Sequence, residues 1–486
     1  MKAGMMTSPL VTNWYWKMRS KLLILLLLFI LLISVVPASA QSQEDYPVYI
    51  IQSGDTLGYI AQLFGTSSEE IIRVNSISDP DLISPGQQLL IPGLEDVHGT
   101  LSVLTTKLGE TLSDLEVEYG LDIAQIVKIN KITSPTQIYA GSEVIVASSG
   151  DNTALVPVEI ITSERTALEV SVLADRNPQT LLIWNRKSSM ADFFPNTAVF
   201  DTKTDSTNMV SIFAPSLQLV EISPLPLVQG GTVSIKIQSE NPVQLSGSLN
   251  GMPLYFQSDE DGMYYALQGV YALAEPGLAE FTLSGINSDG TNFLYSQKLL
   301  LNPGVFDEDP PLTVDPATID PEITEPENQL VKTLISNVTP TRYWNGIFQS
   351  PAVYQYYNSL FGTRRTYNGN PEVTFHGGID FGGGITLPIY APADGQVVFA
   401  DALTVRGNTV FIDHGWGVYS GFFHQNSLKV KVGDFVTAGQ VIGEVGNTGR
   451  VDNSTDYYGA GAHLHWELWV NGVQVDPLDW LLNEYP

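Results

Sequence analysis

The most informative part of this sequence is a pair of short motifs, His376-Gly-Gly-Ile-Asp380 and, near the C-terminus, His463-Leu-His465. Imidazole nitrogens and carboxylate oxygens are common zinc ligands in proteins. Residues two positions apart in an extended strand point to the same face, so His463 and His465 can enter one cavity. His376 and Asp380 are also an even number of positions apart. The pattern predicts a metal site with a position left for water, as metal-assisted hydrolysis requires.

The bulk composition narrows the class of protein. A chain of 486 residues is too long for one core and predicts about three to five domains. The formal net charge of −29 argues against a nucleic-acid partner, because phosphate binding needs clustered lysine and arginine. The chain has no cysteine, which excludes disulfides, thiolate nucleophiles and a lipobox-type lipid anchor. Histidine and carboxylate are therefore the remaining metal ligands.

The N-terminus predicts the compartment. Three basic residues between positions 17 and 21 precede the apolar run 22–36 and the small-residue stretch Pro37-Ala-Ser-Ala40. This arrangement is typical of a secretory signal peptide, here residues 1–40 with cleavage after Ala40. An uncleaved signal anchor is the alternative, because the basic region is long. Either outcome places the protein outside the cytoplasm, secreted or associated with the cell envelope.

Residues 48–92 carry a pattern that recurs along the chain. It begins with Gly54-Asp-Thr-Leu57, continues with a helical period to Asn75, and ends in a short apolar strand, which predicts a β-α-α-β order. The signals return at a spacing of 55 residues, which indicates repeated units. The aligned pairs are Gly54 and Gly109, Asn75 and Asn130, Gly86 and Gly141, and then Asn130 and Asn185. We predict a second, divergent copy over 101–147 and a degenerate third over 156–202.

The repeated pattern resembles the LysM domain, through its G-D-T-L loop, its asparagine and its P-G-Q-x-L-x-I-P close. The resemblance implies binding of N-acetylglucosamine in peptidoglycan or chitin through Gly54, Asp55, Thr56 and the loop 83–85. Gly54 and Asp55 also have a purely structural interpretation, as a turn and helix start. The third copy lacks the G-D-T-L loop, so we expect it to be structural.

Two regions follow that carry no cluster of ionisable residues suited to catalysis. Residues 217–302 alternate apolar and polar positions between turn signals such as Asn250-Gly251, which predicts an immunoglobulin-like β-sandwich acting as a spacer. Residues 303–328 interleave acidic residues with prolines. Because like charges repel and proline favours extended backbone, we expect a stiffened, disordered linker there.

Residues 329–486 are rich in β-branched and aromatic residues and lack a long helical period, which predicts a mainly antiparallel β domain. Their motifs resemble the lysostaphin-type (LytM-like) zinc metallopeptidases. The matching stretches, in the family's order, are Phe361-Gly-Thr-Arg-Arg365, His376 with Asp380, Ile412-Asp-His-Gly415, Gly446-Asn-Thr-Gly449, and His463 with His465. The predicted fold is therefore multidomain: α+β repeats, a β-sandwich and a β catalytic domain.

This resemblance implies a role for each matched residue. One zinc ion would be held by His376, Asp380 and His465, a ligand set that leaves the centre with a net charge of +1. His463 and His424 would handle protons. We take His463 as the base, and His424 as the group that stabilises the oxyanion or passes a proton to the leaving amine.

Other residues are candidates for contacts around this site. Arg365 and Asn368 are expected to meet an acidic stem peptide, and Tyr367 is a candidate oxyanion partner. The stretch 451–459 is expected to be an insertion beside the site. His414 follows a strand at a glycine-rich turn and is expected to be structural.

The sequence thus favours a secreted peptidoglycan endopeptidase. Zinc-bound water would hydrolyse an amide of the stem peptide or cross-bridge, while the LysM repeats hold the glycan. A non-catalytic, wall-binding activator of an amidase is the alternative, although such proteins typically lack metal ligands that this chain keeps. A simple wall-binding module would leave the histidines unexplained.

Overall fold

The computed structural model describes residues 46–94, 96–134, 138–148, 155–162, 165–195, 197–202, 216–239, 241–259, 262–353, 356–371, 373–451 and 461–486. The predicted signal peptide and nearly all of the predicted insertion at 451–459 lie outside this set. The described chain divides into two compact units, one within 1–102 and 147–150, the other within 103–146 and 151–486. Within the described ranges, no helix has the length and apolar character needed to cross a membrane.

The first repeat has the predicted β-α-α-β order. Its elements are β1 (Val48–Ile50), α1 (Leu57–Phe64), α2 (Ser68–Asn75) and β2 (Gln88–Leu90). The two strands pair antiparallel, with Val48 opposite Leu90. The side chain of Asn75 donates to the carbonyls of Ile71 and Leu90 and accepts from the Leu90 amide. It therefore ties the end of α2 to β2 and satisfies backbone groups that the helix end leaves unpaired.

The second and third repeats are built in the same order. Their elements are β3 (Thr100–Thr105), α3 (Leu112–Tyr119), α4 (Ile123–Ile129), β4 (Glu143–Ser148), β5 (Leu155–Ile160), α5 (Ala167–Leu173), α6 (Pro178–Trp184) and β6 (Ala198–Thr202). Asn130 makes the same three bonds, to Ile126 and Ile145, and Asn185 makes them to Leu181 and Phe200. The asparagine that marks the repeat in the sequence thus has one structural task in all three copies.

Residues 217–302 form two antiparallel-rich sheets around one apolar core. The strands are β7 (Leu217–Ser223), β8 (Leu227–Val228), β9 (Thr232–Ser239), β10 (Val243–Leu249), β11 (Met252–Pro253), β12 (Gln257–Ser258), β13 (Met263–Gly269), β14 (Gly277–Asn287) and β15 (Asn292–Asn302). One sheet has the order β11-β10-β14-β15-β8 and the other β12-β13-β9-β7. The alternating pattern of β9 places its apolar residues in this core, as a half-buried strand should.

The prediction of a disordered linker over 303–328 is wrong. The segment lies along the predicted catalytic domain. The backbones of Glu308 and Leu312 form isolated parallel β-bridges with those of Arg364 and Tyr367, respectively. A 3-10 turn (Pro316–Thr318) and helix α7 (Pro321–Leu334) follow. The acidic side chains do not simply repel one another, because two of them find arginine partners: Asp309 binds Arg365 and Glu327 binds Arg406.

The predicted catalytic domain is built mainly from short strands and ends in a helix. They are β16 (Tyr357–Ser359), β17 (Arg364–Arg365), β18 (Thr374–Phe375), β19 (Ile379–Gly382), β20 (Pro388–Tyr390), β21 (Gly395–Leu403), β22 (Gly407–Gly415), β23 (Val418–Gln425), β24 (Ser427–Leu428), β25 (Phe435–Val436), β26 (Val441–Glu444), β27 (His463–Val470), β28 (Val473–Val475) and α8 (Pro477–Leu482). The main sheet runs β16-β19-β27-β23-β22-β21-β25, with β28 on β27. Its pairings are antiparallel, as predicted.

The sandwich and the catalytic domain share their packing. Leu267 and Ala272 of the sandwich belong to the same buried cluster as the catalytic sheet. The indole of Trp480 donates to the buried hydroxyl of Thr232 at 2.9 Å, and the Asp476 amide donates to the Gly230 carbonyl. A Cβ at Gly269 would lie 2.8 Å from Val473, so the strands approach as closely as glycine permits. Residues 217–302 are thus part of the catalytic core's support rather than a free spacer.

Candidate metal centre

The centre lies where three neighbouring strands present side chains in one row. Asp380 of β19 pairs with His465 of β27, and His465 pairs on its other side with Phe423 of β23. His376 reaches the same place across two glycines. A Cβ at Gly378 would lie 2.2 Å from the Trp466 carbonyl oxygen, so only glycine allows the chain to pass there.

The three predicted ligands meet. Nε2 of His376 lies 2.9 Å from Nδ1 of His465 and 3.1 Å from Oδ1 of Asp380, and the last two atoms are 2.6 Å apart. A tetrahedral zinc ion with bonds near 2.0 Å needs ligand atoms roughly 3.3 Å apart. Two imidazoles and one carboxylate are a donor set that zinc favours, so these residues fit the ion.

Each histidine ligand is fixed through its second ring nitrogen. Nδ1–H of His376 donates to the Leu360 carbonyl at 2.9 Å. Nε2–H of His465 donates to Oε1 of Glu467, which lies 3.3 Å away. Because a carbonyl and a carboxylate only accept, these bonds select the tautomer of each neutral ring in which the lone pair of His376 Nε2 or His465 Nδ1 is directed at the shared point.

Burial and neighbouring charges shift the pKa values of the three predicted ligands. Burial alone would raise the pKa of Asp380, but His376, His463 and His465 outweigh burial and lower it well below its usual range. Burial lowers the pKa of His376. At His465 burial acts in the same direction, yet Asp380 and Glu467 outweigh it and raise the pKa. Asp380 is thus held as a carboxylate, the form that binds a cation.

The two predicted proton-transfer histidines lie beside the ligands. Nε2 of His463 is 3.7 Å from Oδ1 of Asp380, and its ring lies 4.9 Å from that of His424. Nδ1–H of His424 donates to the Thr448 carbonyl at 2.7 Å, and Nδ1–H of His463 to the Gly461 carbonyl at 3.2 Å. Burial lowers the pKa of His424 well below its usual value. His424 therefore offers an unprotonated Nε2, the form that accepts a proton, while the bond of His463 leaves its Nε2 facing Asp380.

The residues that pack behind the His465 ring were not predicted from the sequence. The ring of Phe423 lies flat against His465, with centroids 5.3 Å apart and planes 18° from parallel. The guanidinium of Arg406 lies 5.5 Å from the centre of that Phe423 ring. Glu327 of α7 accepts from the amides of Val405 and Arg406 and from the Arg406 side chain.

The turn 404–406 between β21 and β22 also supports His424, the second predicted proton-transfer histidine. The His424 amide donates to the Arg406 carbonyl at 2.9 Å, while His424 itself has a left-handed φ of 60°. A non-glycine residue holds that backbone conformation only where its surroundings enforce it. Of these supporting residues, only Glu467 had a readable signal, because it lies two positions after His465 and therefore on the same face of the strand.

The predicted substrate contacts lie against the segment that precedes the domain. Arg365 donates to Asp309 at 2.8 Å and to Ser359, and lies 3.9 Å from Oδ2 of Asp380. Asn368 exchanges two hydrogen bonds with the backbone of Val314. The guanidinium of Arg450 lies 5.2 Å from the Tyr367 ring. Contact of Arg365, Asn368 or Tyr367 with a substrate stays a prediction.

The predicted glycan contacts in the first repeat form an open turn. Gly54 has a φ of 93°, and a Cβ there would meet no atom within 4 Å. Asp55 accepts from the hydroxyl of Tyr49 and the amide of Gln52. Thr56, rather than Asp55, caps helix α1 by accepting from the Tyr59 amide. Asp55 therefore has a structural task in the turn, and a glycan contact here stays a prediction.

Comparison with known families agrees with this geometry. Residues 374–477 match the model of "Peptidase family M23", and residues 49–92 and 104–147 match that of the "LysM domain". The predicted resemblance is confirmed for these three regions. The third repeat and the sandwich fall outside the matched ranges.

Several relatives named as peptidoglycan DD-endopeptidases are similar to part of this chain. The peptidoglycan DD-endopeptidase ShyC of Vibrio cholerae serotype O1 is 33% identical over 129 residues, which are 26% of this chain and 28% of that protein. The peptidoglycan DD-endopeptidase ShyA of the same organism is 38% identical over 121 residues, 25% of this chain and 26% of that protein. The chain thus spans about a quarter of the length of these relatives.

Among solved structures, the catalytic domain of the antimicrobial peptidase lysostaphin from Staphylococcus simulans is 28% identical. The alignment covers 28% of this chain and 89% of that one, with a TM-score of 0.20.

Proposed function

Since the chain carries a peptidase family M23 domain and two LysM domains, we propose that it is a zinc-dependent endopeptidase that cuts peptide bonds in peptidoglycan. The observation that carries the proposal is the convergence of His376, Asp380 and His465 on one point, each histidine oriented by its second nitrogen. When bound there, zinc supplies a Lewis acid that activates water for attack on an amide.

The residues around this point divide the remaining work. We assign the base role to His463, which would take a proton from the attacking water; its Nε2 lies 3.7 Å from Oδ1 of Asp380, which supports this assignment. His424 is the second proton acceptor, and in its protonated form it can donate to the developing oxyanion or to the leaving amine. Arg365 and Asn368 hydrogen-bond to Asp309 and Val314 of the preceding segment, and we keep them as proposed contacts to an acidic stem peptide, with Tyr367 as a proposed oxyanion partner.

Attachment is proposed for the first LysM domain. Gly54, Asp55, Thr56 and the loop 83–85 are the contacts for N-acetylglucosamine, and the exposed turn described above supports this. The enzyme would act outside the cell or within the envelope, where peptidoglycan lies, after removal of residues 1–40. We also keep the immunoglobulin-like classification of residues 217–302 as a proposal, supported by their two-sheet architecture.

A non-catalytic activator of an amidase is less well supported. Such a role requires no ligand set, whereas all three ligands and both proton-transfer histidines lie together here.

The decisive experiment is digestion of purified peptidoglycan by the full chain, with mass spectrometry of the released fragments. We expect new amino and carboxyl ends within stem peptides or cross-bridges, loss of cleavage with a chelator, and recovery with added Zn²⁺. Release of intact stem peptides from the glycan, or cleavage that resists the chelator and His465→Ala, would refute the proposal. His98→Ala, far from the catalytic motifs in sequence, serves as the histidine control.

A further inference from the structure

We propose that the two LysM domains have different tasks: the first presents a ligand face, while in the second this face is the docking surface for the β-sandwich. The inference rests on the proposed glycan contacts at 54–56 and 83–85. It follows from comparing equivalent positions of the two domains, which stand 55 residues apart.

In the first domain both ligand loops are open. Residues 52–54 and 84–86 are exposed. Gly54 and Gly86 adopt φ values of 93° and 86°, and a Cβ added to either would meet no atom within 4 Å. A sugar chain can therefore approach these turns without displacing any part of this domain.

In the second domain the first loop is covered at its glycine, while Thr111 stays exposed. Gly109, the counterpart of Gly54, donates its amide to Oε1 of Gln297 in β15 at 2.8 Å. Its neighbour Leu108 is 9% exposed and belongs to the buried cluster of the sandwich. The backbone donor that this turn would offer to a ligand is thus taken by a sandwich side chain.

The second loop is covered as well. Ala140, the counterpart of Pro85, is fully buried in the sandwich core, and its carbonyl accepts from the Leu300 amide at 2.9 Å. A Cβ at Gly141 would lie 2.8 Å from Cα of Pro226. The loop that is open in the first domain is therefore pressed against sandwich backbone in the second.

The contact also has a structural purpose for the sandwich. Strand β8 pairs with β15 only at Leu301 and Asn302, so the neighbouring part of β15 would present unpaired backbone groups. Ala140 continues this pairing by a parallel bridge to Leu299. Edge strands are commonly covered in this way, which prevents pairing with other chains. A glycan would have to displace the sandwich before it could enter the second domain.

The test is calorimetric titration of the full chain with an N-acetylglucosamine hexamer. We expect one binding site per chain. Thr56→Arg should weaken binding by about tenfold or more, and Thr111→Arg by less than about twofold. The pair is matched in exposure and in one capping bond, because each threonine accepts from the amide three residues on; Thr111 also forms a capping box with Asp114. Two sites per chain, or equal losses from both variants, would overturn the inference.

Amide hydrogen exchange on the free chain tests the cover separately. The amides of Gly109 and Leu300 should be protected, while that of the exposed Gly54 should exchange rapidly. Rapid exchange at Gly109 and Leu300 would overturn the inference whatever the titration gives. If the full chain binds no hexamer but Gly109 is protected, the glycan contact fails and the docking surface stands. Peptidoglycan cleavage, measured apart from both, decides the enzymatic proposal.

Discussion

Oε1 of Glu467 lies 3.3 Å from Nε2 of His465, the ring nitrogen that does not face Asp380. Glu467 is buried, and its other oxygen accepts from the indole of Trp469 at 3.0 Å. A carboxylate in this position fixes the tautomer and the plane of the ring and increases the basicity of the ligating nitrogen. Glu467 therefore acts on the metal centre without touching the metal point.

Replacing Glu467 should weaken zinc binding. Glu467→Gln keeps the shape but removes the charge that orients His465, so we expect zinc affinity to fall by about 10- to 100-fold. Competition with a chromophoric chelator measures the affinity directly and needs no enzymatic assay. Glu444→Gln is the matched control, because Glu444 pairs with Lys429 on another sheet. Equal affinity in wild type and Glu467→Gln would show that the contact does not orient the ligand.

The five clustered residues should separate into ligands and proton carriers. His376→Ala and His465→Ala should lose stoichiometric zinc, since each removes one of three ligand atoms. His463→Ala and His424→Ala should keep the metal but lose peptidoglycan cleavage by about 100-fold or more, the usual range for a general acid or base. Metal analysis of the purified variants, combined with the digestion assay, distinguishes the groups. Loss of zinc in His463→Ala would mean that His463 is a ligand after all.

Glu327 should affect the site although it lies outside the region that matches the peptidase family. Its carboxylate is 6% exposed and binds two backbone amides and a guanidinium of the loop that supports His424 and Phe423. Glu327→Gln leaves one of these donors without an acceptor, which should lower the free energy of unfolding by about 1–3 kcal/mol. Cleavage should fall by roughly tenfold because His424 shifts.

The control for Glu327 lies on the same helix. Glu325 of α7 is exposed, so Glu325→Gln should change neither quantity. Chemical denaturation and the digestion assay should both be run with zinc present. Neither substitution alters a predicted ligand, so the variants are then compared at equal metal content. If Glu327→Gln lowers stability but leaves cleavage per folded molecule unchanged, Glu327 is a structural residue only.

His414 should make the catalytic domain sensitive to acid. Burial lowers the pKa of His414 from 6.5 to about 4, and its ring nitrogens bind the Asp394 carbonyl and the Ser420 hydroxyl. The unfolded chain binds this proton below pH 6.5 while the folded chain resists it down to about pH 4. Folding free energy is therefore lost as pH falls through this window, by about 3 kcal/mol in total. Above pH 6.5 the residue adds no pH dependence.

Comparison of wild type with His414→Gln isolates this contribution. The variant should be less stable at pH 7, where it loses packing and hydrogen bonds, but its stability should fall less steeply between pH 6.5 and 4. Urea denaturation at several pH values gives both numbers. Parallel pH profiles for the two proteins would assign the acid sensitivity to other groups.

The sequence predicted that His376, Asp380 and His465 would come together, because zinc chemistry restricts residue types and strand geometry restricts their spacing. His463 and His465 follow from the alternation of a strand, and the same rule extends to Glu467. The linker prediction failed because composition records charge but not partners. Asp309 and Glu327 meet Arg365 and Arg406 far along the chain, and no local pattern reports such pairs.

The second failure concerns the spacer interpretation of residues 217–302. Alternation along β9 correctly predicted a strand with one buried face. It could not report that Thr232 would accept a hydrogen bond from Trp480, because that contact joins residues in separate sequence domains. Contacts between domains depend on the shape of their surfaces, which the alternation of apolar and polar residues along a strand does not predict.

The hydrogen bond between Trp480 and Thr232 and the shared apolar cluster also determine where this protein can be divided to make a chimera. A chimera that grafts a foreign binding module onto residues 329–486 would cut through a packed core and expose Leu267's partners to water. A graft made before residue 217 leaves that cluster whole but removes Leu108 and Ala140 from the core of the sandwich, so the second LysM domain belongs with the unit. The unit that evolution or an engineer can transfer intact is therefore larger than the peptidase homology alone.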